Sequence, residues 1–287
     1  MGQALSEYQY YEFVAVDQPL DARAQDDVRA LSTRAEITAT TFVNEYHWGD
    51  FRGDPDRLVE DYYDAHLYFA DWGTRRLMLR VPRTVLDLDA VEPYLVEEQV
   101  DAWMTDTHLV LDLHSHDETD ESDYDLEDAL STIVGVRAEL ATGDHRPLYL
   151  AWLAGYGAWE RDEDAFDRDA DNHQEPPVPP GLRTLTAPQR ALADFLRLDN
   201  DLLTVAAEAG PPLHEPTDDP TELAAWLAAL PEPEKDRLLL RVIQDQATTV
   251  RLDLLRRFRD HTTGHTAPPR RTVGELLDET ARRRAKA

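Results

Sequence analysis

The chain reads as an α+β protein: an antiparallel-rich sheet with helices, for which a ferredoxin-like core is one plausible arrangement, followed by an all-helical C-terminal region. Three observations lead there. Strand-like and helix-like segments alternate through the first 116 residues, four prolines crowd residues 173–181, and every periodic segment after them has helical spacing. The expected organisation is an α+β domain over 1–172, a proline-rich linker over 173–182 and a helical domain over 183–287.

Residues 8–16, YQYYEFVAV, are aromatic and β-branched and end at the turn Asp17-Gln18-Pro19. Residues 20–33 place Leu20, Ala24, Val28 and Leu31 on one helical face. Residues 36–46 have the composition of one strand. Asp54 and Pro55 supply an N-cap and a first helical position, so a helix is expected to about Ala65. HLYFA and RRLMLRV flank a turn at Asp71-Trp72-Gly73-Thr74, a hairpin in which Gly73 takes positive φ. A second hairpin joins LVEEQVDAWM to THLVLDLHSH through a turn near Thr105-Asp106. The expected order is β-α-β-α-β-β with a further β-β pair, helices covering one face of a mostly antiparallel sheet, for which a ferredoxin-like core is one arrangement.

An acidic loop, 116–125, precedes a helix running to about Leu140 and stopped by Gly143. Residues 147–160 are apolar on nearly every side, which marks a buried helix. Helices are then expected at 187–198, 200–209, 221–230, 233–260 and 273–286. Capping-box spacing stands at Asp219…Glu222 and Thr272…Glu275. The long 233–260 segment carries a stripe of Leu239, Val242, Ile243, Gln246, Val250, Leu254 and Phe258 that fits a helical hairpin or a partner helix.

Charge excludes some functions. The net charge is −29, so nonspecific binding of nucleic acid or of anionic membranes by the body of the chain is not expected. The absence of cysteine excludes thiol nucleophiles, disulfides and iron–sulfur clusters. No stretch of 18 apolar residues occurs and the N-terminus lacks a secretory pattern, so a cytoplasmic setting is expected. Residues 101–175 hold 21 acids and four bases, whereas residues 251–287 hold five acids and ten bases. That reversal fits docking of the basic end on the protein's own acids or on a partner.

Chemistry-bearing candidates are few. His108, Asp112, His114 and His116 share one face of a strand, where paired imidazoles two residues apart could reach a common metal. The competing reading makes them the solvated face of a strand that buries Leu109, Leu111 and Leu113. Asp167, Asp169 and Asp171 have calcium-loop spacing, but Asn172 and Val178 stand where that loop needs Gly and Glu. Trp48, Phe51, Arg52, Trp72, Arg75 and Arg76 combine aromatics with arginine, the composition of interfaces and planar-ligand sites. Leu239, Ile243, Val250 and Phe258 are the matching candidates on the long helix. No nucleophile elbow, phosphate loop, dinucleotide fingerprint or zinc-protease motif is present, and no cofactor is implied.

The segments YQYYEFVAVD, ITATTFVNEYHWGDFRGDP, DAHLYFADWGTRRLMLR and LYLAWLAGYGAWERDEDA resemble a family of uncharacterised actinobacterial proteins. The resemblance implies a bacterial, cytoplasmic setting and carries no catalytic residues with it. The missing catalytic motifs, the linker, the long amphipathic helix and the charge asymmetry together lead to the expectation of a non-catalytic interaction or adaptor protein, with a protein partner or self-association through residues 233–287. A metal-dependent enzyme using His114 and His116 is the second reading. An acidic regulator of a nucleic-acid-binding protein is the third.

Overall fold

The computed structural model describes residues 8–49, 51–118, 124–157, 173–210, 220–243 and 271–286, with the scattered positions 247, 250, 251, 254, 257 and 258. Parts of the expected acidic region, 119–123 and 158–172, and part of the basic end, 259–270, lie outside the described residues. So do the calcium-like aspartates and the Asp219 cap.

Among the described residues seven strands form one sheet. They are β1 (Gln9–Val14), β2 (Glu36–Ile37), β3 (Thr41–Tyr46), β4 (Ala65–Ala70), β5 (Thr74–Pro82), β6 (Val100–Met104) and β7 (His108–His116). Their order is β2-β3-β1-β4-β5-β7-β6, and every neighbouring pair is antiparallel. With α1 (Ala22–Arg29) after β1 and α2 (Pro55–Asp61) after β3, the first six elements run β-α-β-β-α-β, and β1 lies between β3 and β4. This is the split βαβ arrangement. The two hairpins then extend the sheet beyond β4. The β4–β5 turn needs Gly73: its φ is +95°, and a Cβ there would lie 1.9 Å from the Asp117 carbonyl oxygen.

The segment 36–46 departs from expectation because it is two strands. The Thr38 hydroxyl oxygen accepts from the backbone N–H groups of Thr40 and Thr41, closing a side-chain turn that folds β2 back on β3. Likewise the helix expected to Leu140 is divided into α4 (Ala129–Ile133) and α5 (Val136–Ala141).

The sheet buries both faces. On one, α1 and α2 bring Val28, Leu58 and Val59 onto Phe13, Phe42, Met78 and Val110. On the other, Leu67, Leu77, Leu79, Leu109, Leu111 and Leu113 meet the later helices. These include α6 (Arg146–Gly157), α7 (Ala187–Phe195), α8 (Asn200–Ala209) and the last helix, α11 (Val273–Arg284). Earlier in the chain, α3 (Leu88–Val91) packs beside β6 and leads into a short 3₁₀ turn at Glu92–Tyr94 that meets α6. The stretch from Arg146 to Tyr156 is buried throughout, as its sequence predicts. Each fully buried Leu or Trp there contributes about 1.5–3 kcal/mol relative to exposure. Gly155 lets α6 approach the 96–99 turn, since a Cβ would meet Gln99 and Val96 at 3.2–3.4 Å.

One buried cluster takes residues from both sides of 173–182, and Leu182 of that segment itself: Leu192, Phe195, Leu202, Val205 and Leu276 share it with Leu77 and Leu109. Residues 173–175 also form a short antiparallel bridge with 271–273, in which Glu175 N–H donates to the Arg271 carbonyl and Val273 N–H to that of His173, both at 2.9 Å. Buried Glu175 accepts from Tyr149 at 2.5 Å and from Arg271 at 2.9 Å. That clamp seats the start of α11, whose capping box at Thr272 and Glu275 forms as expected.

Candidate functional site

Arg75 and Arg76 are adjacent in sequence but serve opposite faces of β5, because side chains alternate along a strand. Arg75 turns to the later helices and is buried. Its guanidinium lies 4.6 Å from the Tyr124 ring centre and donates to the Asp194 and Phe195 carbonyls at the end of α7. A cation there complements the negative end of the helix dipole. Arg76 turns to the α2 side. Its Nε and Nη2 donate to the two oxygens of Asp112 at 2.8 and 2.7 Å, and Nη2 also to Asp56 at 2.7 Å. Arg76 thereby ties the first turn of α2 to β7.

The β7 candidates divide. Leu109, Leu111 and Leu113 are buried against the later helices, as alternation predicts. On the other side, Val110 and Asp112 are buried, while His108 and His114 are half-buried and His116 is exposed. Burial by itself would raise the Asp112 pKa, but hydrogen bonds from Arg76 and His114 outweigh it and hold the carboxylate below its usual range. His114 Nε2 stands 3.0 Å from Asp112 Oδ1. His116 instead has Nδ1 3.0 Å from the Thr74 hydroxyl and Nε2 3.5 Å from Glu118, and His108 Nδ1 is 2.7 Å from the Thr107 hydroxyl. Burial and the nearby Arg80 charge push His108 down. Each imidazole thus has its own neighbour. Among the described residues no three His, Asp or Glu side chains form a group that could hold a metal ion.

The aromatic candidates divide in the same way. Phe51 packs inward, with its ring 5.2 Å from Tyr11 and 5.5 Å from Phe42. Arg52 is exposed. Trp48 and Trp72 stay on the surface, 80% and 41% exposed. Both belong to one end of the sheet: Trp48 precedes Gly49, whose carbonyl accepts from Gln9 at the start of β1, and Trp72 lies in the β4–β5 turn.

The helical candidates fall into an inner and an outer set. Val250 and Phe258 are buried, and the Phe258 ring lies 5.7 Å from Trp226 of α9 (Pro220–Ala229). Arg257 reinforces this seam by its 2.6 Å pair with Glu234 on α10 (Glu232–Arg241). Leu238 is turned inward. Leu239, Leu240, Val242 and Ile243 are 61%, 53%, 40% and 78% exposed, an apolar surface at the end of α10.

Sequence reasoning passes over the most deeply buried polar groups. Asp64 accepts from the backbone of Val16 and Asp17 at 2.7 and 2.8 Å and pairs with Arg80 at 2.8 Å. Arg137 completes this group, 2.9 Å from Asp17 and 3.7 Å from Asp64. His66 is wholly buried, its ring stacked 3.9 Å from Phe13. The available signal is a lone polar residue inside the apolar run AHLYFA.

Among the described residues no helix is long and apolar enough to cross a membrane. Comparison with family models, curated proteins and solved structures finds no match to this chain.

Proposed function

We propose that the chain is a non-catalytic protein-binding module that docks a basic partner protein through the apolar end of α10. The supporting observation is the exposure of Leu239, Leu240, Val242 and Ile243 together on one short stretch of helix. An amphipathic helix laid in an apolar groove uses anchors with this spacing. Full burial of such side chains contributes about 1.5–3 kcal/mol each. Association costs at least about 4 kcal/mol in lost freedom, so most of the stripe must be covered for a stable complex. The net charge of −29 selects the occupant: it repels a second copy and attracts a cationic surface.

The test uses the full chain as bait in an extract of its source cells, beside Leu239→Asp and Ile243→Asp variants whose folding is checked by circular dichroism. The expected result is a monomer by light scattering that retains a protein of high isoelectric point. Retention should fall with added salt and be lost in both variants. A dimer that the variants dissociate would replace the basic partner with a second copy. Retention unchanged by the variants, or no retention at all, overturns the proposal.

A further inference from the structure

Tyr11, Tyr68, Arg76 and His114 stand opposite one another in successive strands β1, β4, β5 and β7. At about 4.8 Å per strand, this row crosses about 14 Å of the sheet. All four side chains line a pocket of about 170 Å³ that opens to solvent, completed by His66, Thr74 and Pro55 at the start of α2. The volume is close to that of an engineered cavity of about 150 Å³ that takes benzene, so the space suits a single ring.

The walls specify more than size. Tyr11 and Tyr68 have ring centres 4.8 Å apart and present aromatic surface. Their hydroxyl groups both donate to the Gln9 side-chain oxygen, at 2.8 and 3.2 Å, which fixes the rings. Arg76 spends Nε and Nη2 on Asp112 and Asp56, while its Nη1 has no acceptor among the described residues. The wall therefore offers a donor whose charge is already more than matched by two carboxylates. An anion entering here meets Asp56 and Asp112 as well as the charge of the whole chain, and so is disfavoured. His66 backs the pocket without charge: it is wholly buried, its Nδ1 is 2.9 Å from the Glu12 carbonyl oxygen, and burial keeps the imidazole neutral.

We infer that this pocket binds a small uncharged aromatic ring bearing an acceptor oxygen, the class of simple aromatic amides, with the oxygen received by Arg76. The site is separate from α10 and does not depend on protein docking there.

Benzamide, benzoate and benzene are the probes, titrated into the full isotope-labelled chain by NMR. Benzamide is expected to give saturable shifts at the Thr74, Arg76 and His114 amides. Benzoate should bind at least tenfold more weakly because of its charge, and benzene more weakly because it lacks the acceptor. Thr74→Trp, which fills the mouth, should abolish the benzamide shifts, and the wild-type shift map decides the location if that variant does not fold. Absence of saturable shifts at the solubility limit of benzamide, or shifts centred elsewhere, overturns the site. Benzoate binding as tightly as benzamide overturns the ligand class.

Discussion

Arg283 of α11 reaches back to α8, where its guanidinium donates to Glu208 at 2.9 Å and lies 3.4 Å from Asp201. Arg284 continues the contact with Asp199 at 2.8 Å. The basic end of the sequence is thus at least partly neutralised by acids of the same chain. These pairs are around half exposed, so they are screened and each contributes at most about 1 kcal/mol. The double variant Arg283→Ala/Arg284→Ala should lower stability by no more than about 1–2 kcal/mol. In urea melts at rising salt, the gap between wild type and variant should close.

Buried Asp64 behaves differently. Burial alone would raise its pKa, but backbone and Arg80 hydrogen bonds outweigh that and lower it. Asp64→Asn leaves Arg80 and Arg137 without a full counter-charge, and about 3–5 kcal/mol of stability should be lost. Because the folded pKa is depressed, the wild-type contribution is present above the ordinary carboxylate pKa. It is lost as pH falls through the lower folded value. Denaturant melts of wild type and Asp64→Asn across acidic pH should converge at the low end.

His66 makes the protein sensitive to milder acid. Burial lowers its pKa from 6.5 to about 3. The unfolded chain therefore takes up this proton first, and stability falls as pH drops below 6.5, by up to about 1.4 kcal/mol per pH unit toward the folded value. His66→Phe, which keeps the stack on Phe13, should flatten the melting temperature between pH 6 and pH 4.5 relative to wild type.

At alkaline pH the sensitive group is Tyr149. Burial first, then Glu175 beside it, raises its pKa well above the ordinary 10.0. A raised folded pKa means that stability is full below 10.0 and declines as pH rises beyond it. A pH titration followed by tyrosinate absorbance should show Tyr149 ionising only as the chain unfolds. Tyr149→Phe should remove part of that late phase.

Local chemistry carried much of the fold. Asp54 and Pro55 start α2, Gly73 turns the β4–β5 hairpin, and the apolar run from Pro147 forms a buried helix. Alternation likewise placed Leu109, Leu111 and Leu113 inward. Partnerships across strands were not legible, since they depend on register: nothing in the sequence pairs Asp112 with Arg76, or Asp64 with Arg80 and Arg137. The helical stripe was legible as a stripe, but not as two sets. Val250 and Phe258 are covered inside the chain, Phe258 against Trp226, whereas Leu239 and Ile243 face out. The strand 36–46 failed as one unit because a single threonine hydroxyl competes with the ladder.

The bridge of 173–175 with 271–273 gives the chain an architectural freedom. Its two arms lie side by side, pinned by Glu175 and Arg271, which are 96 positions apart in sequence. Of the helices threaded between them, α7 and α8 belong to the shared buried cluster and are bound to it. No described residue of α9 or α10 enters that cluster, so these two helices can be lengthened, shortened or exchanged for others of different surface without shifting a register pair of the sheet.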